Sequence, residues 1–414
     1  MLGATILASL AISGAAGAAA PGPLRLGAVF PLSGPGAAAA AEERLGVDIA
    51  RQLINAAGGV DGRPVELSVA DAPSVADAAP AVDRLAASGV PLVIGGFSSD
   101  ISIPAARRAQ QDGVVYWEGG AVADQVTGQG LPLVFRVGAS GADLGSTSGG
   151  FVADQIVPRL GRPASAVRVA LVVADDDYAH SVADAVRARV TAAGLPVVSE
   201  AVYRLGYPQF DRVIADLRAS RPDVLVLASH IPDGIAFRRA FLAAGLHVDA
   251  FVGSTMAQCE RDFGDALGQD AVGVFAADRP GQGFDPSRLP TATAQTDFAR
   301  FAALWAQQHG GSPTEEGISG FTAAWALLHD VLPAAARRGD LSPASIAAAA
   351  RAADLPAGTL PNGAGLSFAS DPAHLGQNVR AASVVWQWQR PRISVVVWPP
   401  QYATGSVAMV PLPG

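Results

Sequence analysis

Residues 167–173 read VRVALVV and residues 223–228 read DVLVLA, two short runs in which almost every side chain is apolar. A strand with one solvated face alternates apolar and polar residues, whereas a continuous apolar run is typical of a parallel strand buried between two layers of helices. Longer alanine-rich segments, typical of helices, follow both runs. The pattern therefore predicts an α/β protein with parallel sheets that are covered by helices on both faces.

The same alternation of short strands and longer helices extends outward and forms two series. The first series runs from the strand at 24–30 to a strand at 134–137, and the second runs from a helix at 143–160 to a strand at 272–276. Three helices follow with almost no strand between them, and two β-rich runs then lie between residues 381 and 398. We predict two doubly wound parallel-sheet lobes joined by a multi-crossing hinge, with the three helices completing the first lobe and the last strands joining the second.

Composition excludes several classes of protein. The chain has 414 residues, 50% apolar and 16% charged, with a formal net charge of −8. All 29 basic residues are arginine, so the chain has neither a phosphate-binding P-loop lysine nor a lysine that could form a Schiff base. The acidic balance argues against nucleic acid as a partner. The single cysteine, Cys259, excludes an intrachain disulfide and a cysteine-cluster metal site.

The first 20 residues have the pattern of a secretory signal. Residues 2–12 form an apolar run that is too short to span a membrane, and Ala-Gly-Ala at 16–18 fits a cleavage site. No basic residue precedes the run, and the alternative interpretation is a disordered alanine-rich tail. We expect a soluble protein that is exported, periplasmic or secreted, and not lipid-anchored through an N-terminal cysteine.

The segments that follow the predicted strands are rich in glycine and in small hydroxylic residues. Ligands of open α/β sheets bind beyond the carboxyl ends of the strands, so these segments are the candidate site. Such loops let backbone N–H groups and hydroxyls approach a carboxylate, and helix N-termini add partial positive charge. The sequence therefore favours a small polar ligand in a cleft between the lobes.

Patterns for other chemistries are incomplete. The glycines at 34 and 36 match a dinucleotide fingerprint, but the acidic residue Asp71 follows about 35 residues later, where the fingerprint expects about 20. The acidic loop 175–177 lacks the spacing of a calcium-binding loop, and the six histidines show no zinc-binding pairing. Ser98 and Ser99 lack the motif and the local histidine of a nucleophilic serine. We expect no catalytic residue, no metal and no cofactor.

Three motifs resemble those of a known family: LGAVFPLSG at 26–34, INAAGGV at 54–60 and VIGGFSS at 93–99. Together they are similar to the type I periplasmic solute-binding proteins of ABC importers, in the leucine/isoleucine/valine-binding branch. The resemblance runs from about residue 24 to about residue 398. It implies hinge crossings near 137–139, 276–278 and 365–368.

The resulting domain prediction has four parts. They are a signal peptide at 1–20, a first lobe of 24–138 plus 277–364, a second lobe of 139–276 plus 365–398, and a tail at 399–414.

The resemblance also implies ligand residues in the first lobe. The serine that holds the ligand carboxylate in this family matches Ser99, with Ser98 beside it. The backbone and threonine contacts after the fourth strand match Gly120 and Ala121, preceded by Gly119, and the threonine hydroxyl is lost here.

In the second lobe, Tyr178 matches the tyrosine that follows the first strand of that lobe. Two polar positions depart from the family pattern: a tyrosine becomes His230, and the acidic residue that receives the ligand ammonium becomes Thr255. A standard branched-chain amino acid is therefore not assured as the ligand. Glu118 is a candidate for the missing negative charge, and the alternative is that it faces solvent or Arg136.

The function implied by the resemblance is capture of an amino acid of branched-chain type, or a related small polar solute, by a monomeric protein. That protein would deliver the solute to the membrane permease of an ABC importer. Two alternatives remain open. One is a ligand-sensing module of the same fold, and the other is an α/β enzyme, for which no acid–base pair is identifiable.

Overall fold

The computed structural model describes residues 22–206, 209–255, 257–258, 260–281 and 283–413. The predicted signal segment at 1–20 and Cys259 lie outside these residues. Two β-sheets organise the chain, one of five strands and one of seven. The prediction of two α/β lobes is confirmed.

The first sheet has the order β2-β1-β3-β4-β5, and all its strands are parallel. Three helices connect the first four strands. The strands are β1 (Leu24–Phe30), β2 (Val65–Asp71), β3 (Leu92–Gly95), β4 (Val115–Glu118) and β5 (Val134–Arg136), and the helices are α1 (Ala37–Ala56), α2 (Val75–Ala87) and α3 (Ser99–Gln111).

The second sheet has the order β7-β6-β8-β9-β10-β11-β12. Its strands are β6 (Val169–Ala174), β7 (Val197–Tyr203), β8 (Val224–Ala228), β9 (Ala250–Ser254), β10 (Phe275–Asp278), β11 (Val384–Arg390) and β12 (Ile393–Trp398). The first five repeat the 2-1-3-4-5 order of the first lobe and are parallel. The last two are antiparallel, so this sheet is mixed rather than purely parallel.

Six helices accompany the second sheet: α4 (Gly141–Phe151), α5 (Val157–Leu160), α6 (Asp177–Ala192), α7 (Asp211–Ser220), α8 (Ile231–Ala243) and α9 (Arg261–Leu267). The helix predicted at 143–160 corresponds to α4 and α5, which a π-helical turn at Val152–Ile156 joins. Helix α9 was not predicted from the sequence. This helix has only seven residues, and its buried large apolar side chains are Phe263 and Leu267, which are too few to show a helical periodicity.

The three predicted helices do complete the first lobe. They are α10 (Ala292–Gln308), the helical stretch formed by α11 (Glu315–Trp325) and α12 (Leu332–Arg337), and α13 (Pro343–Arg351). Phe301, Trp305 and Phe321 from this region are buried in one core with strands β1 and β3. This packing explains why three helices without strands of their own are stable: they cover a sheet that the beginning of the chain forms.

Helices α1 and α11 approach closely because glycines stand at their contact. A Cβ atom at Gly46 would collide with the carbonyl oxygen of Gly317, and one at Gly320 would collide with that of Glu43. Helix α11 begins two residues earlier than predicted, because the Thr314 hydroxyl caps it by accepting from the Gly317 N–H at 3.2 Å. The close crossing brings Glu43 beside the first turn of α11.

The third hinge crossing lies later than the predicted 365–368. Leu366 and Phe368 are part of the first-lobe core, and the Phe368 ring lies 5.5 Å from that of Trp117. The first lobe therefore continues to about Ala382, and the boundary placed between 364 and 365 is too early. Residues 399–413, the described part of the predicted tail 399–414, pack on the second lobe through Leu412, whose N–H donates to the Asp249 carbonyl at 2.7 Å.

Candidate functional site

The carboxyl ends of the two sheets carry the predicted site. In each lobe the strand order reverses beside the first strand, between β1 and β3 and between β6 and β8, which is where open α/β sheets bind ligands. Helices α3 and α6 begin at these ends and contact each other across the lobes. The Asp124 N–H of the first lobe donates to Ser181 Oγ of the second at 3.1 Å. The lobes are therefore in contact at this edge.

Ser99 is the first residue of α3 and is 9% exposed. Its Oγ accepts a hydrogen bond from the Ala123 N–H at 2.9 Å, and this leaves the hydroxyl proton to be donated elsewhere. Ser98 precedes it in extended conformation at the N-cap position. N–H groups in the first turn of a helix lack partners within that helix, so this turn suits an anionic group.

Glu118 ends strand β4 and is fully buried. Its carboxylate accepts five hydrogen bonds of 2.6–3.1 Å, from the N–H groups of Gly96, Gly120 and Ala121 and the hydroxyls of Ser102 and Tyr116. Burial raises the pKa of Glu118, while the hydrogen bonds from Ser102 and the backbone oppose the increase.

The hypothesis that Glu118 receives a ligand ammonium does not fit this geometry, because protein donors already surround both of its oxygens. The alternative of solvent or Arg136 does not fit either, since Glu118 is buried and Arg136 is not among its five donors. Glu118 instead fixes the loops after β3 and β4, because its carboxylate accepts hydrogen bonds from backbone N–H groups of both loops.

The loop 119–121 uses its backbone groups within the protein. The Gly119 carbonyl accepts from Ser319 Oγ at 2.9 Å, and the Gly120 carbonyl accepts from Arg279 Nη1 at 2.6 Å. The N–H groups of Gly120 and Ala121 point to Glu118. Hydrogen bonds within the protein thus hold this loop in place. The predicted contacts of the Gly120 and Ala121 N–H groups with a solute do not fit, because both groups already donate to Glu118.

Tyr178 lies in the first turn of α6 and is buried. Its hydroxyl contacts the carbonyl oxygens of Ser229 at 3.2 Å and Ser254 at 2.8 Å. These two residues follow or end the neighbouring strands β8 and β9. Tyr178 therefore fixes the spacing of two strand ends at the predicted site.

His230 is the N-cap residue of α8, and its ring lies edge-on to that of Tyr178, with 5.0 Å between the centroids. Its Nε2 pairs with the Asp176 carboxylate. Burial lowers the pKa of His230, but Asp176, Asp233 and Asp100 outweigh it, so the net shift is upward. Asp100 belongs to α3, so this histidine interacts electrostatically with the opposite lobe.

Thr255 directly follows β9 and is 1% exposed. Its φ is 53°, in the left-handed region, which is unfavourable for a β-branched residue. Its Oγ1 has no hydrogen-bond partner within the described residues. A strained residue with a buried, unused hydroxyl is costly unless another group supplies the partner, and such outliers cluster at ligand sites.

A group of three carboxylates, two of them buried and that of Glu260 half-buried, was not predicted from the sequence. Oxygen atoms of Glu260, Glu315 and Glu316 lie within 4.8 Å of one another. Arg279, which follows β10, forms an ion pair with Glu315 at 2.6 Å. The acidic pair 315–316 was visible in the sequence, but it preceded the predicted start of its helix, and its partner Glu260 is about 55 positions earlier.

A sequence profile of the family described as periplasmic binding protein matches residues 23–386. The chain belongs to this family. The resemblance to its leucine/isoleucine/valine-binding branch is confirmed by curated relatives. Leu/Ile/Val-binding protein homolog 8 of Brucella suis biovar 1 is 29% identical over 403 residues, 96% of each chain, and homolog 7 of Brucella abortus is 27% identical over 407 residues, 98% of each.

Solved structures of this periplasmic binding protein fold agree over most of the chain. The leucine binding protein LivK of Thermotoga maritima has a TM-score of 0.74 at 19% identity, covering 91% of this chain and 98% of its own. LivJ of Streptococcus pneumoniae, in complex with isoleucine, has a TM-score of 0.72 at 21% identity, covering 91% and 100%. A solute binding protein of R. palustris, in complex with benzoate, has a TM-score of 0.72 at 18% identity, covering 93% and 98%.

The family and the fold are those of solute-binding proteins rather than enzymes. Among the described helices, none combines the length and apolar composition that crossing a membrane requires.

Proposed function

We propose that this protein captures an amino acid of branched-chain type, or a related small polar solute, between its lobes and delivers it to the permease of an ABC importer. The observation that carries the proposal is the placement of polar groups from both lobes at the carboxyl ends of their sheets. Ser99 stands on the first lobe, and Tyr178, His230 and Thr255 stand on the second. Relatives named as Leu/Ile/Val-binding proteins support the same solute class.

Ser99 is the proposed anchor for the carboxylate of the solute. Its hydroxyl already accepts a hydrogen bond from Ala123, so the geometry favours donation of its proton to an anionic oxygen. Its position in the first turn of α3 adds the partial positive charge of the helix N-terminus. A charge-assisted hydrogen bond of this kind contributes about 1.5–3 kcal/mol to binding.

The second lobe is proposed to cover the solute after the first lobe has bound it. A solute shifts the equilibrium between open and closed forms only through contacts that differ between those forms, such as simultaneous contacts with both lobes. Hinge closure of two lobes around a solute is an established mode of conformational change. The closed form would present surfaces of both lobes together, which the permease can distinguish from the open form.

The direct test is calorimetry of the purified, monomeric protein with leucine, isoleucine and valine, followed by the same titration of Ser99→Ala. We expect the affinity of Ser99→Ala to fall by roughly 10- to 150-fold, the equivalent of one charge-assisted hydrogen bond. Ser165→Ala is the matched control, because Ser165 is exposed on a turn of the second lobe. An unchanged dissociation constant for Ser99→Ala would place the solute elsewhere.

Delivery to an importer requires export, so we also propose that the segment 1–20 is removed. Intact-mass measurement of the protein from its native host tests this step. We expect a chain that starts near residue 19 or 21. A full-length or lipid-modified mass would contradict export in this form.

A further inference from the structure

One buried arginine binds the loop that follows strand β4. Arg136 ends strand β5 and is 1% exposed. Burial lowers the pKa of Arg136 to about 10, so its side chain is still a cation at neutral pH. Its Nη1 donates to three successive backbone carbonyls at 3.2, 2.9 and 2.6 Å, those of Ala121, Val122 and Ala123. A single cation bonded to three carbonyls in a row fixes the path of this loop.

The orientation of Arg136 is itself fixed by the segment around Gln377. Arg136 Nε donates to Gln377 Oε1 at 2.6 Å, and Gln377 Nε2 donates to the Gly138 carbonyl at 3.1 Å. The Arg136 backbone lies between the same neighbours: its N–H donates to the Gly376 carbonyl, and its carbonyl accepts from the Asn378 N–H, both at 2.9 Å. A guanidinium group is planar and its donors point in fixed directions, so the bond to Gln377 also sets the direction of Nη1.

One peptide group of the loop connects Arg136 to Ser99. The Val122 carbonyl and the Ala123 N–H belong to the same planar group and point in opposite directions. Arg136 binds the carbonyl at 2.9 Å, and the N–H on the other side donates to Ser99 Oγ at 2.9 Å. Because the group is planar, fixing its carbonyl also fixes the direction of its N–H. That N–H occupies an acceptor site of the Ser99 hydroxyl, whose own proton stays available for donation.

We propose that Arg136 is a positioning residue for the carboxylate anchor: through the peptide group of Val122 and Ala123, it orients the Ser99 hydroxyl toward the solute. This inference rests on the proposed function and deepens it, because it assigns the alignment of Ser99 to a residue that acts through the backbone. Hydrogen bonds in a chain polarise one another, so the cation at one end also strengthens the bond from Ala123 to Ser99.

The next peptide group connects Arg136 to the second lobe. Its carbonyl, that of Ala123, accepts from Arg136 at 2.6 Å, and its N–H, that of Asp124, donates to Ser181 Oγ at 3.1 Å. Loss of Arg136 can therefore weaken solute binding in two ways, through the Ser99 hydroxyl or through the contact between the lobes. Only the first depends on the hydroxyl of Ser99, so a double-mutant cycle separates the two.

The experiment measures dissociation constants for the wild type, Arg136→Met, Ser99→Ala and the double variant. Calorimetry uses leucine, isoleucine and valine, and the cycle is completed with the one that the wild type binds most tightly. We expect Arg136→Met to bind it roughly 10-fold more weakly than the wild type, because a misaligned Ser99 loses much of its charge-assisted hydrogen bond. In the Ser99→Ala background the same change should alter the affinity by less than about 2-fold, since no hydroxyl is left to orient.

Two further variants complete the test. Gln377→Leu removes the acceptor of Arg136 Nε but leaves the charge in place, and it repeats the cycle with Ser99→Ala in case Arg136→Met does not fold. We expect a smaller loss of affinity that again depends on the Ser99 hydroxyl. Arg238→Met is the matched control, because Arg238 is 5% exposed and its Nε donates to the Asp270 carbonyl of the second lobe at 2.9 Å. It should lower the urea midpoint and keep the wild-type dissociation constant.

The failures of this inference and of the proposed function are distinguishable. If the loss caused by Arg136→Met is the same with and without the Ser99 hydroxyl, Arg136 acts on the lobe contact or on the fold, and its positioning role is wrong. Wild-type affinity in both Arg136→Met and Gln377→Leu leads to the same conclusion, and in each case the proposed function stands. If Ser99→Ala binds as the wild type does, the anchor is misplaced and the positioning role fails with it. If none of the three amino acids binds the wild type, the proposed function and this inference both fail.

Discussion

The two lobes share the strand order 2-1-3-4-5, yet they form their binding edges in opposite ways. The first lobe fixes its loops through a buried carboxylate, Glu118, that accepts three backbone N–H groups. The second lobe places side chains at its edge, including Tyr178, His230 and Thr255. One edge is thus set by backbone hydrogen bonds to a buried carboxylate, and the other by side chains at the strand ends.

This difference affects how each lobe tolerates change. The loops of the first lobe share Glu118, so its loss would leave several buried N–H groups without an acceptor at once. The polar groups of the second lobe make fewer bonds each, and the Thr255 hydroxyl makes none to any described residue. We infer that the first lobe is a preformed half-site, and that in the second lobe the Thr255 hydroxyl gains a hydrogen-bond partner only when a solute is present.

The largest expected effect comes from Glu118→Ala. Loss of the carboxylate removes five hydrogen bonds in a fully buried position, and each hydrogen bond to a charged group contributes about 1.5–3 kcal/mol, without full additivity. We expect the free energy of unfolding to fall by at least about 3 kcal/mol, in line with the loss of one member of a buried charge network. Urea denaturation measures the loss.

Tyr178→Phe is the matched variant in the second lobe. It removes one hydroxyl that contacts the Ser229 and Ser254 carbonyls, and we expect a loss of about 1 kcal/mol. Equal losses for Glu118→Ala and Tyr178→Phe would remove the contrast between the lobes.

His230→Ala tests the covering role of the second lobe. The His230 ring packs on Tyr178 and interacts with Asp100 of the first lobe, so its loss weakens contacts that favour closure. We expect a fall in solute affinity of about 10-fold, equivalent to about 1.4 kcal/mol. Small-angle scattering at saturating solute should show a smaller decrease in the radius of gyration than in the wild type.

Tyr178→Ala is expected to behave in the same way as His230→Ala, whereas Ser165→Ala serves as the control and should close as the wild type does. The closure mechanism requires that the radius of gyration of the wild type decreases on binding. A constant value would contradict it.

A further prediction concerns pH and also distinguishes the lobes. The pKa of His230 is raised in the folded protein, where Asp176, Asp233 and Asp100 face the ring and outweigh its burial. Because the pKa of His230 is higher in the folded than in the unfolded protein, protonation of His230 stabilises the fold. This stabilisation is complete below the pKa of an unfolded histidine, about 6.5, and is lost as the pH rises through the pKa of the folded protein. We expect the wild type to lose stability from pH 6 to pH 9.

The comparison variant is His230→Asn, which keeps a polar N-cap residue without the titration. Urea midpoints at pH 6 and pH 9 isolate the contribution of His230, because all other groups titrate in both proteins. If the two proteins lose the same stability over this range, His230 does not carry the effect.

Much of the fold followed from the sequence, for reasons that particular elements show. The strands at 24–30 and 224–228 agree with β1 and β8 because a continuous apolar run has few structural alternatives once helices surround it. The third crossing was placed too early because residues 365–378 contain no regular element. Their position is set by long-range contacts such as those of Phe368 with Trp117 and Asn378 with the Val137 carbonyl.

The candidate site was harder to predict, because the sequence does not show which side chains from different elements lie close together in the fold. Glu118 was predicted to supply a negative charge to the ligand, or else to face solvent or Arg136, and neither fits. Its carboxylate is buried and accepts from Tyr116 on the same strand and from Ser102 on α3, contacts that the sequence does not show. Glu43 and Glu316 interact electrostatically across helices α1 and α11, which glycines allow to cross closely. Residue spacing along one chain does not encode such a crossing.

The smallest expected effect is that of Thr255→Val. This variant tests whether the second lobe gains a hydrogen bond from the Thr255 hydroxyl when the solute binds. Valine has nearly the shape of threonine and lacks the hydroxyl, whose Oγ1 makes no hydrogen bond with any part of the chain that the structure describes. Removing a buried, unpartnered hydroxyl also removes the cost of its lost hydration, so the free energy of unfolding without solute should not fall. If the hydroxyl bonds to the solute, affinity should fall by roughly 2- to 10-fold, the equivalent of one neutral hydrogen bond. Calorimetry and urea denaturation of the same preparation measure both quantities. A stability loss without an affinity loss would show that Thr255 supports the second lobe alone, and the inference that this lobe completes its bonds with the solute would then be wrong.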